Sequence, residues 1–437
     1  MTRRKLSHIE HLADVNIACF VRLEGAVAYD QIRSALGRVQ RKHPALRALI
    51  RHEKDGLYYE ADTAPEIPLR LVRRITENDY RRECQTELTT DFAPDKPQLR
   101  VVCLKSELET DLLFTTSHRI CDGLSIFIVV KDVLQSLHSG EELIPYEAIT
   151  TQDIIGDYRP SHPWKRQLAA SMLNGILRLV PSSRPAPKNK EHCLEWSAGR
   201  ALSQSLRQRC KAEDVSVHAA FLAALDRALI AVFGKRAPKR ITCPIDLRRG
   251  RFPALKDDML FYGGGNFKLR TGQFSYLDFW ASARAINQDM RKKIEREVLD
   301  IPGRLHFFES LSPLHSGQVQ WILRITDALR SRRSRLNGFG MSNLGNVVLS
   351  DPATPFLLKD LRLYAHSLNF RVLGLIPYTI KGEMRFYLMG SEACTTRIEI
   401  DALKREFAAL LEQHAPPGDY KPEEMPNTLA AVTASRS

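Results

Sequence analysis

Apolar residues recur along the chain in two rhythms, one of about 3.6 residues and one of two, so helices and strands are interleaved from end to end. In "AYDQIRSALGRVQRKHPALRALI" the residues Ile32, Ala35, Leu36 and Val39 fall on one helical face. Pro44 then ends the helix, and "ALRALI" reads as a strand. In "LLFTTSHRICDGLSIFIVV" a run of apolar and β-branched residues breaks into a polar turn from His118 to Gly123. After the turn Ile126, Phe127, Val130, Val133, Leu134 and Leu137 form a helical stripe, so this segment reads strand, turn, helix.

The second half repeats the alternation. In "SVHAAFLAALDRALIAVFG" a broad apolar face runs from Val217 through Phe221, Leu225 and Leu229 to Val232, with Ser216 placed to cap the helix and Gly234 to stop it. The strand "RITCPIDL" follows at once. Apolar alternation returns in "NVVLS" and "LRLYAHSLNF", and "YTIKGEMRFYLMG" predicts a hairpin turning near Lys381-Gly382. A last helix carries Leu403, Phe407, Leu410 and Leu411, and the tail beyond it is expected to be disordered.

Between the halves, "PSSRPAPKNK" (181–190) suits a solvated connector better than a packed element. With 437 residues there is material for two cores, since single cores stop growing at about 250–300 residues. The reading is therefore a first lobe over 1–180, a linker over 181–192, a second lobe over 193–414 and a tail over 415–437. No repeat period is visible, yet each half alternates helix with strand, which predicts an α/β protein of two similar lobes.

Composition narrows the classes. A content of 43% hydrophobic and 26% charged residues places the chain among globular proteins. Its longest apolar runs, such as "IFIVV", fall short of the roughly 20 residues of a membrane span, and "MTRRKLSHIEHL" does not lead into a signal peptide. A cytoplasmic monomer is the expectation. The net charge of +13 is scattered, with no helix-turn-helix, finger or RNA-binding signature, so nucleic acid is not expected. Such charge equally suits phosphate-bearing small molecules, acidic carrier proteins or anionic lipid surfaces. The eight cysteines stand singly, without a C-x-x-C pair, so neither a disulfide framework nor a metal is indicated.

The turn at His118 has two readings. In one it is a plain connection, with Asp122 capping the helix, Gly123 relaxing the backbone and His118 satisfied in the core. In the other, a strand end holds His118 rigidly as a neutral imidazole, a base suited to neutral pH, and Asp122 fixes either the ring or the loop.

"HRICDG" resembles the H-x-x-x-D-G core of the acyltransferase superfamily that includes chloramphenicol acetyltransferase, nonribosomal-peptide condensation domains, wax-ester synthases and polyketide-associated acyltransferases. The likeness extends through "KLSHIEHL", "RKHPALRALI", "VSVHAAFLAAL", "CPIDLRRG" and "MSNLGNV", in the order seen in the condensation-domain-like branch. The chain departs from the fuller motif at Ser117, which stands where the family has a first histidine, and it lacks the D-F-G-W-G motif of plant alcohol acyltransferases.

The resemblance implies two chloramphenicol-acetyltransferase-like lobes, each a mixed sheet flanked by helices, meeting at a tunnel with His118 at its midpoint. It implies no bound cofactor, but an acyl-CoA or phosphopantetheine thioester as co-substrate. A small-molecule or lipid-like acceptor would enter from the other side, and His118 would take the proton from its hydroxyl or amine. Ser342 and Asn343 in "SNLG" are the candidates for stabilising the oxyanion, although Asn343 reads equally well as a turn asparagine. Asp122 would be structural, paired with Arg248 of "IDLRR", for which a solvated arginine is the alternative, and Gly123 would let the backbone pass close to His118. Ser117 keeps open a second class, a catalytically silent module that binds a carrier protein or lipid.

Two basic amphipathic stretches, "WKRQLAASMLNGILRLV" (164–180) and "VQWILRITDALRSRRSR" (319–335), are left over. Each reads either as a helix that lies on a membrane or receives an acyl chain, or as a packed surface helix with solvated arginines. Arg330, Arg332, Arg333 and Arg335 are candidates for meeting coenzyme A phosphates or an acidic carrier. "YGGGNF" (262–267) lacks the spacing and the following helix of a nucleotide loop.

Overall fold

The computed structural model describes residues 3–6, 10, 13, 15–53, 56–180, 190–248, 250–311, 318, 338–349, 358–366, 372–392 and 394–416. Most of the 181–190 connector, the 319–335 stretch with its arginines and the tail from 417 onward lie outside these residues.

The first lobe runs β1 (Arg3–Lys5), β2 (Asn16–Glu24), α1 (Tyr29–Lys42), β3 (Leu49–Glu53), β4 (Gly56–Glu60), β5 (Leu69–Arg73), α2 (Asp79–Thr89), β6 (Leu99–Lys105), β7 (Glu109–Ser117), α3 (Gly123–Ser139), α4 (Thr151–Ile155) and α5 (Pro163–Leu179). The strand expected over 45–50 begins only at Leu49, because Pro44 first opens a 3-10 turn, Pro44–Leu46. The second runs β8 (Glu191–Ser197), α6 (Gly199–Ala212), α7 (Val217–Phe233), β9 (Arg240–Pro244), β10 (Asn266–Arg270), α8 (Phe279–Glu309), β11 (Gly338–Met341), β12 (Asn346–Val347), β13 (Leu358–Ala365), β14 (Val372–Ile380), β15 (Glu383–Ser391) and α9 (Arg397–His414). Glu191 and His192, expected in the linker, are thus the first residues of β8, paired with Ser391 and Gly390.

A mixed sheet of order β13-β2-β7-β6-β5 organises the first lobe, and one of order β10-β9-β11-β14-β15-β8 the second, with β12 on β14. β13 belongs to the second half of the sequence but completes the first sheet, in a register that sets Leu361 against Val21 and Ala365 against Ile17. β2 consequently lies between β13 and β7, and its "NIACFV" run is buried throughout, as expected of a strand covered on both faces. Helices α7, α8 and α9 cover the second sheet, where Phe386 meets both Phe221 and Phe407 edge-on.

Local signals account for several ends. Ser216 Oγ accepts from the Ala219 N–H at 3.2 Å and caps α7, and Gly234 follows its last turn at φ 51°. Lys381 and Gly382 take φ 48° and 80°, the left-handed pair that closes a two-residue hairpin between β14 and β15.

Two stretches bear on the membrane reading. By length and composition Val217–Arg236 is a stretch able to cross a membrane. It is instead the core helix of the second lobe, with Ala219 to Leu225 all buried. The 164–180 stretch is only half packed: Ala170 and Leu177 face inward, whereas Trp164, Leu168, Met172, Ile176 and Leu179 are exposed.

Candidate active site

The end of β7 fixes His118. Ser117 closes the β2–β7 ladder opposite Asn16, and the His118 N–H extends it by one bond, donating to Val15 O at 2.7 Å. The polar turn then folds back so that His118 Nδ1 lies 2.5 Å from the carbonyl oxygen of Cys121. A carbonyl only accepts, so Nδ1 carries the proton and Nε2 keeps its lone pair. The edge of the ring meets Tyr262, with centroids 4.8 Å apart. Burial holds the His118 pKa below its ordinary value, outweighing the hydrogen bond to Cys121 and the nearby Asp122 charge, so the imidazole is neutral at pH 7. These contacts hold the ring without a histidine at position 117.

Asp122 both caps the helix and pairs with Arg248, while the His118 ring is fixed by Cys121 O instead. One oxygen accepts from the Ser125 N–H at 2.9 Å and caps α3, and the carboxylate also receives Arg248 Nη1 at 2.9 Å and Nη2 at 3.3 Å. Arg248 is 2% exposed, so it is not a solvated arginine. Its other protons go to Met259 O at 2.8 Å, Ser125 Oγ at 2.7 Å and Asp246 Oδ1 at 3.2 Å. Burial alone would push the Asp122 carboxyl up, but the Arg248 guanidinium and the Ser125 bonds hold it below the usual range. The pair ties the first lobe to the 246–261 loop of the second. Gly123 serves a different approach from the one expected: a Cβ there would come within 3.0 Å of Leu344 Cδ2.

Two cavities adjoin at His118. One, of about 300 Å³, is apolar, with Val15, Ile17, Met341, Leu363, Leu375 and Met389 in its wall. The other, of about 240 Å³, is lined by polar groups, among them Asp122, Asp246, Tyr262, Asn266 and Asn343. His118, Gly123, Thr242, Pro244, Ser342 and Leu344 line both. The fold thus gathers His118, Asp122, Gly123, Ser342 and Asn343 at these cavities, with Arg248 buried beside them, while Arg330, Arg332, Arg333 and Arg335 lie outside the described residues. Ser342 stands on the shared wall, and its N–H is taken up by Leu375 O at 3.0 Å. Asn343 Oδ1 accepts from the Gly345 N–H at 3.0 Å, which is the turn-asparagine geometry.

Sequence reasoning missed Tyr262, Thr242 and His366. The signal for the first lay in "YGGGNF", where the glycines form the wall of the polar cavity: a Cβ on Gly263 would fall 2.4 Å from Leu247 Cδ1. His366 lines the apolar cavity, its Nδ1 3.5 Å from Glu191 Oε1. Burial pushes the Cys121 thiol up to about 12, which removes it as a nucleophile at neutral pH. Among the described residues no cluster of His, Cys, Asp and Glu could hold a metal ion.

This is the condensation-domain and chloramphenicol-acetyltransferase-like fold, with a histidine between two adjoining cavities. A family model, the condensation domain, matches residues 9–248, more than half of the chain, and the chain belongs to that family. The first condensation domain of the CDA synthetase has the same fold, with a TM-score of 0.66 and 15% identity over 95% of this chain and 97% of that one. So does a trichothecene 15-O-acetyltransferase of Fusarium sporotrichioides, with a TM-score of 0.67 and 11% identity over 94% and 96%. Malformin synthetase mlfA of Aspergillus niger is 28% identical over 131 residues, 29% of this chain. The match covers only 2% of that synthetase's length. Acyl transfer is the general chemistry that the family supports.

Proposed function

We propose that the chain is an acyltransferase that moves an acyl group from a coenzyme A or carrier-protein thioester to a hydroxyl acceptor, with His118 as general base. The observation that carries this reading is the fixed tautomer: Nδ1 donates to Cys121 O and leaves Nε2 as an unprotonated base at the junction of two cavities. The acceptor oxygen attacks the thioester carbonyl as Nε2 takes its proton, which contributes about 10²–10⁴-fold. The tetrahedral intermediate then expels the thiolate, and the imidazolium returns the proton to the leaving sulfur. No acyl-enzyme is required, because the thioester is already activated and Cys121 is held as a thiol.

The oxyanion of the intermediate needs a donor, a role we give to the Ser342 hydroxyl on the shared wall. The apolar cavity suits a long or lipid-like acyl chain better than acetate, and a hydroxyl acceptor is preferred over an amine by likeness to the stand-alone acyltransferases of the superfamily. Open space on both sides of His118 counts against the catalytically silent alternative. The test is thiol release from a panel of acyl-CoAs and acyl carrier proteins mixed with alcohols and amines. Turnover with thioester and alcohol that is lost in His118→Ala supports the reading. Full turnover in that variant, transfer only to amines, or failure with every thioester overturns the corresponding part.

A further inference from the structure

Helix α5 has two apolar faces, of which only one is used by the fold. At about 100° per residue, Arg166, Ala170, Leu173 and Leu177 lie on one side, and Trp164, Leu168, Met172, Ile176 and Leu179 on the other. The inner side is anchored: Arg166 donates to Gly303 O at 2.8 Å, Asn174 to Ser310 O at 3.2 Å, and Gln318 Nε2 to Leu177 O at 3.3 Å. On the outer side Trp164 is 63% exposed, Leu168 55%, Met172 64%, Ile176 59% and Leu179 83%. The stripe runs about 22 Å along the helix, large and continuous where exposed apolar residues on a surface normally stand singly.

We propose that this outer face docks on an anionic lipid bilayer, with α5 lying in the membrane plane. Charge selects the partner. The 17 residues of α5 contain Lys165, Arg166 and Arg178 and no Asp or Glu. Lys165 and Arg178 stand near the two ends of the stripe, where they can meet lipid phosphates as the apolar residues enter the acyl boundary. Trp164 sits at one end, with Lys165 Nζ 5.4 Å from its ring centroid, so both amphipathic side chains can rest at headgroup depth. The net charge of +13 adds attraction to an anionic surface at longer range. A second copy fits less well, because two-fold antiparallel pairing would set Lys165 against Arg178 with no carboxylate between them. An acidic protein would answer the cations and leave the aliphatic stripe unmatched. The docking is independent of the acyl-transfer reading.

Flotation of the full chain with phosphatidylcholine vesicles, with and without phosphatidylserine, tests it. The expected result is capture by the phosphatidylserine vesicles, with a blue shift of tryptophan emission that is absent in Trp164→Phe. The double variant Leu168→Glu/Ile176→Glu, altered only at exposed positions, should keep the wild-type melting curve and lose binding by about tenfold or more. Lys165→Glu/Arg178→Glu should reduce binding to the level seen on neutral vesicles. Absence of binding by the wild-type chain, or equal binding by Leu168→Glu/Ile176→Glu, overturns the proposal. So does a dimer in sedimentation that this variant dissociates, or a stripe-dependent complex with an acidic carrier protein in place of vesicle capture.

Discussion

Arg248 bonds both carboxylate oxygens of Asp122, at 2.9 and 3.3 Å, across 126 residues of sequence. Because the guanidinium is buried and Asp122 also caps α3, one side chain holds the start of a helix and a contact between lobes at once. Asp122→Asn removes the charge from both duties. The expected cost is about 3 kcal/mol, at the low end for breaking a buried pair, because Asp246 remains 3.2 Å from Arg248. A clear fall in melting temperature, by calorimetry or circular dichroism, is therefore expected. A variant of normal stability and no activity would instead give Asp122 a direct part in the reaction.

The same carboxylate bears on the pH profile. The His118 pKa is depressed from 6.5, chiefly by burial, with the Asp122 charge opposing that shift. A base works when deprotonated, so kcat/KM should rise with pH through a midpoint below 6.5 and be flat at neutrality. Asp122→Asn takes away the opposing charge, so whatever activity remains should show its acid limb at still lower pH. An acid limb above 6.5, or one that moves upward in Asp122→Asn, contradicts the assignment.

Stability should fall on mild acidification, independently of catalysis. Burial lowers the pKa of His218 to about 4, and burial outweighs the Asp132 bond in lowering that of His43. A histidine of depressed pKa binds fewer protons folded than unfolded, so stability rises with pH. For His218 it is lost as pH falls from about 6.5 to about 4 and is fully present above that window. The loss is on the order of 3 kcal/mol at its foot. Urea midpoints measured from pH 7.5 to 4 should decline accordingly. The decline should be shallower in His218→Leu, and a slope unchanged by that substitution would remove His218 as its source.

The centre of the site was legible because its chemistry is local. "HRICDG" lies between an unmistakable strand and an amphipathic helix, so the sequence already put His118 at a strand end and Asp122 at a helix start. Arg248 was found through family likeness, and its burial is what the structure adds. The place of β13 in the first sheet was not legible, since its partner β2 lies more than 300 residues away and no local periodicity encodes that register. The glycines of "YGGGNF" were seen but not understood: their reason is the nearness of Leu247, a fact of packing. For the outward stripe of α5 the sequence left a membrane-lying and a packed helix both open, because the 3.6-residue rhythm records an apolar face without recording what covers it.

Two glycines at the cavities should respond to a side chain in opposite ways. A Cβ on Gly263 would fall 2.4 Å from Leu247 Cδ1 and 2.6 Å from Phe261 Cε1. Leu247 is buried and adjoins Arg248, so it cannot swing into solvent, and Gly263→Ala should destabilise the chain by about 1–3 kcal/mol, the usual cost of overpacking. Gly340 lines the apolar cavity, and a Cβ there would meet nothing closer than Leu373 O at 3.9 Å. It lies in β11, where valine is well accommodated and glycine is not favoured. Gly340→Val should therefore leave the melting temperature unchanged or slightly raised while filling part of the 300 Å³ cavity. If that cavity takes the acyl chain, KM should rise for long-chain thioesters and stay constant for acetyl donors. Equal losses on both would show that the chain lies elsewhere, and a strong fall in melting temperature would show that the space beside Gly340 is not free.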